Sequence, residues 1–97
     1  MSNKATMIVS GIINANEKEA YTSYVESSGP IFKQSGSKPV AKYPISQVLS
    51  GNDEVEFLAI MEFPNSESIQ AVFNSDAYKE LLPIRKKAFK KLNIYIS

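Results

Sequence analysis

Two kinds of periodicity alternate along this chain, and their order is the strongest constraint on its fold. Ala5 to Ile13, ATMIVSGII, is β-branched and apolar and stops at Asn14-Ala15-Asn16, which reads as a strand and its end. Beyond it Ala20, Tyr21, Tyr24 and Val25 recur at the three-and-four spacing of a helix face, behind an Asn16 and Glu19 set at capping-box spacing. The pattern predicts a helix from about Glu17, kinked or interrupted at Ser28-Gly29-Pro30, with a last turn through Phe32 and a stop at Gly36. Lys38 to Leu49 reads as a second strand bent at Pro44, at an edge because proline donates nothing to a ladder. A turn at Gly51-Asn52-Asp53 leads into a third strand, Val55 to Phe63, VEFLAIMEF. Two helix starts follow, near Glu67 and at Ser75, and LNIYIS closes the chain as a fourth strand. The order β-α-β-β-α-β predicts an α+β, ferredoxin-like domain with a four-stranded antiparallel sheet and helices on one face.

No linker or low-complexity tract divides residues 1–97, so they are read as a single domain. With 43% hydrophobic and 22% charged residues the chain has the composition of a globular protein. Eleven Lys and Arg against ten Asp and Glu leave a net charge of +1, which argues against nucleic acid as a partner. No apolar stretch approaches a membrane span or a secretory signal, and the expected location is the cytoplasm. The chain contains no Cys and no His. Disulfides, thiolate nucleophiles, Cys or His metal ligands and Ser-His pairs are thereby excluded, and neither a metal nor a cofactor is expected.

A sheet with helices on one side should alternate apolar and polar residues, and these strands do not. In the third strand Phe57, Ala59, Met61 and Phe63 share one face, while Leu58 and Ile60 lie on the other between Glu56 and Glu62. In the first strand Met7, Val9 and Ile13 share a face and Ile8 and Ile12 lie opposite. Two helices cover one face, so the second should be a partner surface. Ile8, Ile12, Leu58, Ile60 and Glu62 are the candidate interface of a homodimer built sheet to sheet.

The run EFPNSESIQAVFNSDAYKELLPIR resembles the signature segment of the bacterial proteins called domain of unknown function 1330. Supporting matches are Tyr21 with Tyr24, Gly36, and Val48-Leu49-Ser50-Gly51; the chain differs from the usual pattern at Val72-Phe73 and Tyr43-Pro44. The resemblance implies the dimeric α/β-barrel fold. Its wider superfamily includes cofactor-independent monooxygenases, muconolactone-type isomerases and haem-degrading enzymes. Haem-binding members typically rely on a histidine ligand, which this chain lacks.

Arg85 stands where the helical pattern calls for an apolar residue. Tyr78, Leu82, Arg85 and Phe89 are spaced by four, three and four residues, with Leu81 and Ala88 flanking them, so an unbroken helix would place all six on one face. Lys86, Lys87 and Lys90 fall on the solvent side. Two readings stay open: Arg85 is structural, its stem on apolar neighbours and its head on a carbonyl or carboxylate, or it binds an anionic group between helices and sheet. Tyr21, Tyr24 and Tyr78, on apolar helical faces, and Tyr43, on the edge strand, are further ligand candidates. Ser75 is read as a helix cap, since no histidine exists to activate it. Two functions follow. One is a dimeric binding protein for a small metabolite; the alternative is a cofactor-independent monooxygenase or isomerase-like enzyme.

Overall fold

The computed structural model describes residues 4–97. The elements are β1 (Ala5–Ile13), α1 (Lys18–Gln34), β2 (Lys38–Pro44), β3 (Phe57–Phe63), α2 (Ser66–Asn74), α3 (Asp76–Lys79), α4 (Leu82–Ala88) and β4 (Phe89–Ile96). The sheet runs β2-β3-β1-β4, every neighbouring pair antiparallel. This is the ferredoxin-like arrangement, with the second helix of the pattern broken into three. Strand β2 ends at Pro44 and β3 begins at Phe57, so both are shorter than expected, and β4 is longer. The 45–56 connection is closed at its base by Ile45 N–H donating to Glu56 O at 2.8 Å, and Gly51 turns within it at φ +99°.

Local chemistry accounts for most helix ends. The Asn65 side chain accepts from Ser68 N–H at 2.8 Å and starts α2; the Ser75 hydroxyl accepts from Tyr78 N–H at 3.2 Å and starts α3. Helix α1 begins without a side-chain cap, because Asn14 rather than Asn16 turns inward, accepting the Asn16 N–H at 3.1 Å. It also passes through Pro30 without interruption. Gly29 has no Cβ to collide with the following proline ring, which removes much of the steric objection to a helical residue before proline. The lost bond falls at Glu26, on the exposed side. The helix stops at Gly36 (φ +88°), where Gly36 N–H donates to Lys33 O and Ser37 N–H to Phe32 O, a Schellman motif.

Pro83 opens α4 after a break at Glu80-Leu81, and the expected six-residue face does not form on one helix. Leu82 is largely exposed, and Phe89 already belongs to β4. Tyr78, Leu81 and Ala88 are buried as the spacing predicted.

The core lies between helices and sheet. Ala5, Met7 and Phe63 from the strands meet Phe32, Ile69, Val72 and Tyr78 from the helices. Ile8, Ile12, Leu58 and Ile60 lie outside this cluster, on the opposite sheet face, with Ile8 directly across from Ile60. Glu62 at the rim of that face pairs with Lys4 at 3.3 Å.

Candidate functional site

Helix α1 packs chiefly on α4 rather than on the strands, and it therefore stands away from the β2-β3 half of the sheet. The gap is a cleft of about 620 Å³. Its roof is Tyr21, Tyr24, Val25, Ser28, Gly29 and Phe32 of α1; its floor includes Val9, Phe57, Ala59, Met61 and Ile94. The walls are mainly apolar, and the size is that of small-molecule sites.

One polar chain reaches this cleft. Arg85 Nη1 donates to Tyr78 Oη at 2.9 Å, and Tyr78 Oη lies 2.7 Å from Tyr24 Oη. Tyr78 is 1% exposed and Tyr24 7%, so neither hydroxyl is freely hydrated. Either hydroxyl can donate in the Tyr24–Tyr78 bond, since a phenol oxygen that accepts from Arg85 can accept a second proton. Of the two tyrosines, Tyr24 is the one that lines the cleft. Burial pushes the Tyr24 ionisation well above the ordinary phenol value, reinforced by Tyr78; Arg85 and the Ser28 hydroxyl act in the opposite direction and do not prevail. Tyr24 is thus a hydrogen-bond donor at every physiological pH, not a base.

Lys42 is the residue that sequence reading missed. In β2 the register slips between Pro39 and Ala41, leaving Val40 as a bulge. Ala41 then pairs with Ile60 and Lys42 with Ala59, so Lys42 falls on the cleft side of the sheet. Its Nζ lies 3.5 Å from Tyr21 Oη and 6.0 Å from the centre of the Phe57 ring. Without the bulge, Lys42 would pair with Leu58 and face the other way. No residue type in KPVAKYP announces the slip. Tyr43 pairs with Leu58 instead, which places it on the face away from the cleft. Of the five sequence candidates, Tyr21 and Tyr24 line the cleft, Tyr78 and Arg85 stand behind Tyr24, and Tyr43 is separate.

Among the described residues no cluster of three or more His, Cys, Asp or Glu side chains is placed to hold a metal ion, and no helix is long and apolar enough to cross a membrane.

The family described as "Domain of unknown function (DUF1330)" matches residues 5–96. The chain belongs to this family. Among solved structures, a protein of unknown function from Rhodopseudomonas palustris superimposes with a TM-score of 0.82 at 20% identity, covering 100% of this chain and 82% of that one. A putative antibiotic biosynthesis monooxygenase from Nitrosomonas europaea gives a TM-score of 0.67 at 11% identity, covering 100% and 90%. SnoaB, a cofactor-independent oxygenase from Streptomyces nogalater, gives 0.67 at 7% identity, covering 99% and 92%. None of the curated proteins matches at a significant level. At these identities the likeness shows the fold, that of the dimeric α/β-barrel proteins, and fold alone does not assign chemistry.

Proposed function

We propose that this DUF1330 protein is a homodimeric binding protein for a small, largely apolar metabolite that enters the cleft between α1 and the sheet and presents an acceptor oxygen to Tyr24. The observation that carries this reading is the Arg85-Tyr78-Tyr24 chain. The Arg85 guanidinium donates to Tyr78, whose hydroxyl is bonded to that of Tyr24, and a neutral Tyr24 at the cleft can turn its proton to a carbonyl or carboxylate oxygen. Lys33 and Lys42 at the cleft, with no carboxylate in its lining, favour an anionic group on the same ligand.

The alternative, a cofactor-independent oxygenase or isomerase, is suggested by the names of two structural neighbours and by a tyrosine able to polarise a carbonyl. Proton abstraction also needs a base beside the substrate; no carboxylate lines the cleft, Tyr24 is held protonated, and Lys33, Lys42 and Tyr21 are what remain for that role. Binding without chemistry is the better-supported reading.

Titration with a panel of aryl and alkyl ketones and carboxylic acids, followed by NMR shifts, tests it. Filling the floor by Ala59→Phe should abolish binding, and Tyr24→Phe should weaken it about five- to tenfold. Unchanged affinity in Ala59→Phe would remove the cleft from consideration.

The assembly is read from the open sheet face. Ile8, Leu58 and Ile60 lie there uncovered by any described helix, together with Asn93, whose buried side-chain Nδ2 has no hydrogen-bond partner. A second copy would cover the apolar patch. Light scattering should give twice the chain mass, and Ile60→Asp should yield monomer or aggregate, because an unpaired charge in a desolvated interface is costly.

A further inference from the structure

Arg85 has a second aspect that does not depend on the cleft. Its guanidinium carries five N–H groups, and a single one is engaged, on Tyr78 Oη. The side chain is half-buried and lies near the Tyr78 ring, 5.7 Å from the ring centre. Among the described residues no carboxylate comes within ion-pair distance of it; the two ion pairs present are Lys4 with Glu62 and Lys91 with Asp53. A half-buried arginine without an anion is unusual in a chain with ten acidic residues. Arg85 also lines a second cavity of about 390 Å³ between α2, α4 and β4, together with Gln70 and Asn74. Leu92, Ile94 and Ile96 of β4 add an apolar wall.

We propose that this cavity is a second ligand site, for a small carboxylate bearing a short apolar tail. The carboxylate takes the two oxygens' worth of donors that a guanidinium edge presents in parallel, a geometry that no lysine on the surface offers. The Gln70 and Asn74 amides supply further N–H donors, and the tail lies on Ile94 and Ile96. The bond from Nη1 to Tyr78 stays in place, since other N–H groups bind the ligand. The two cavities share Leu92 and Ile94 of β4, and Arg85, Gln70 and Asn74 line this one alone.

The test is a titration of the full chain with acetate, butyrate and inorganic phosphate at constant ionic strength, read by ¹⁵N NMR of the Asn and Gln side-chain amides and the Arg Nε–H. Saturable shifts at Gln70, Asn74 and Arg85 are expected, with butyrate several-fold tighter than acetate because each buried methylene adds apolar contact. Arg85→Met should weaken butyrate at least about tenfold. Ala59→Phe, which fills the cleft and lies outside this cavity, should leave it unchanged. Should Arg85→Met fail to fold, the double variant Gln70→Ala with Asn74→Ala, both exposed, serves instead and should lose about threefold or more. Linear, non-saturating shifts, equal affinity in these variants, or butyrate shifts confined to Lys33 and Lys42 overturn the site. Phosphate binding as tightly as butyrate overturns the apolar tail.

Discussion

The two ends of the helix layer rest on the same sheet in different ways. On the α2 side, Ile69 and Val72 join Phe63 in the core with exposures of 0%, 2% and 1%, so α2 is filled against β3 and its cavity opens only toward β4. On the α1 side, Tyr24 and Phe32 reach back toward Tyr78 while the middle of the helix roofs an open cleft. Stability is concentrated where side chains interdigitate, and room for a ligand exists where a helix is held by its neighbours instead of by the sheet. The aromatic contacts of Phe32 with Phe63, Phe73 and Tyr78 are what allow α1 to stand off, since they anchor one end of it.

The comparison breaks most visibly if truncations on the two sides cost the same. Phe63→Ala should destabilise by about 3–5 kcal/mol in urea melts, as expected for a buried aromatic with no room to collapse. Met61→Ala, on the cleft floor, should cost less than half of that, because part of its side chain already faces empty space. Equal losses would mean that the cleft closes in solution.

A smaller effect of opposite sign is expected from α1 itself. Pro30→Ala restores a donor for the Glu26 carbonyl at an exposed position and should raise stability by roughly 1–3 kcal/mol. A loss instead would show that the proline holds the helix at its stand-off.

Tyr24→Phe should cost about 1–2 kcal/mol near neutral pH, since the Tyr78 hydroxyl loses its partner. The pH dependence carries a sign. The folded-state ionisation of Tyr24 is raised above the unfolded value near 10, so its contribution is intact below about pH 10 and is lost as the pH climbs beyond it. Above pH 10 the wild type should therefore lose stability more steeply than Tyr24→Phe, by up to ~1.4 kcal/mol per pH unit. Parallel curves would place the Tyr24 hydroxyl in water. The least effect belongs to Lys42→Met, within about 0.5 kcal/mol of wild type because the side chain is exposed, while affinity for acidic ligands in the cleft falls.

What the sequence disclosed follows the range of the interactions. Ser75 is legible as a cap because it acts on a backbone N–H three residues away, and the start near Glu67 is legible for the same reason, its cap being Asn65. The link from Arg85 to Tyr78 is legible as two turns of helical spacing and survives the break at Pro83. The Tyr78 to Tyr24 contact spans 54 positions, and nothing in either neighbourhood specifies its partner. The hollow under α1 is a property of how three helices brace one another, and a pattern of apolar residues reads the same over a filled space and an empty one. Pro30 misleads for a local reason: the same Gly29 that looks like part of a break removes the clash that makes proline a breaker, and the helix runs through both.

The bulge at Val40 makes the charge of the cleft a matter of counting. Were Val40 kept within a regular ladder, continuing the register of Lys38 and Pro39, Lys42 would turn to the far side of the sheet and Ala41 would take its place opposite Ala59, leaving Lys33 as the remaining lysine of the cleft without exchanging one amino acid for another. Relatives alike in the residues of β2 but lacking the slip would then offer a different charge to a ligand, so the pairing register of β2 matters more for ligand preference than the similarity of its residues.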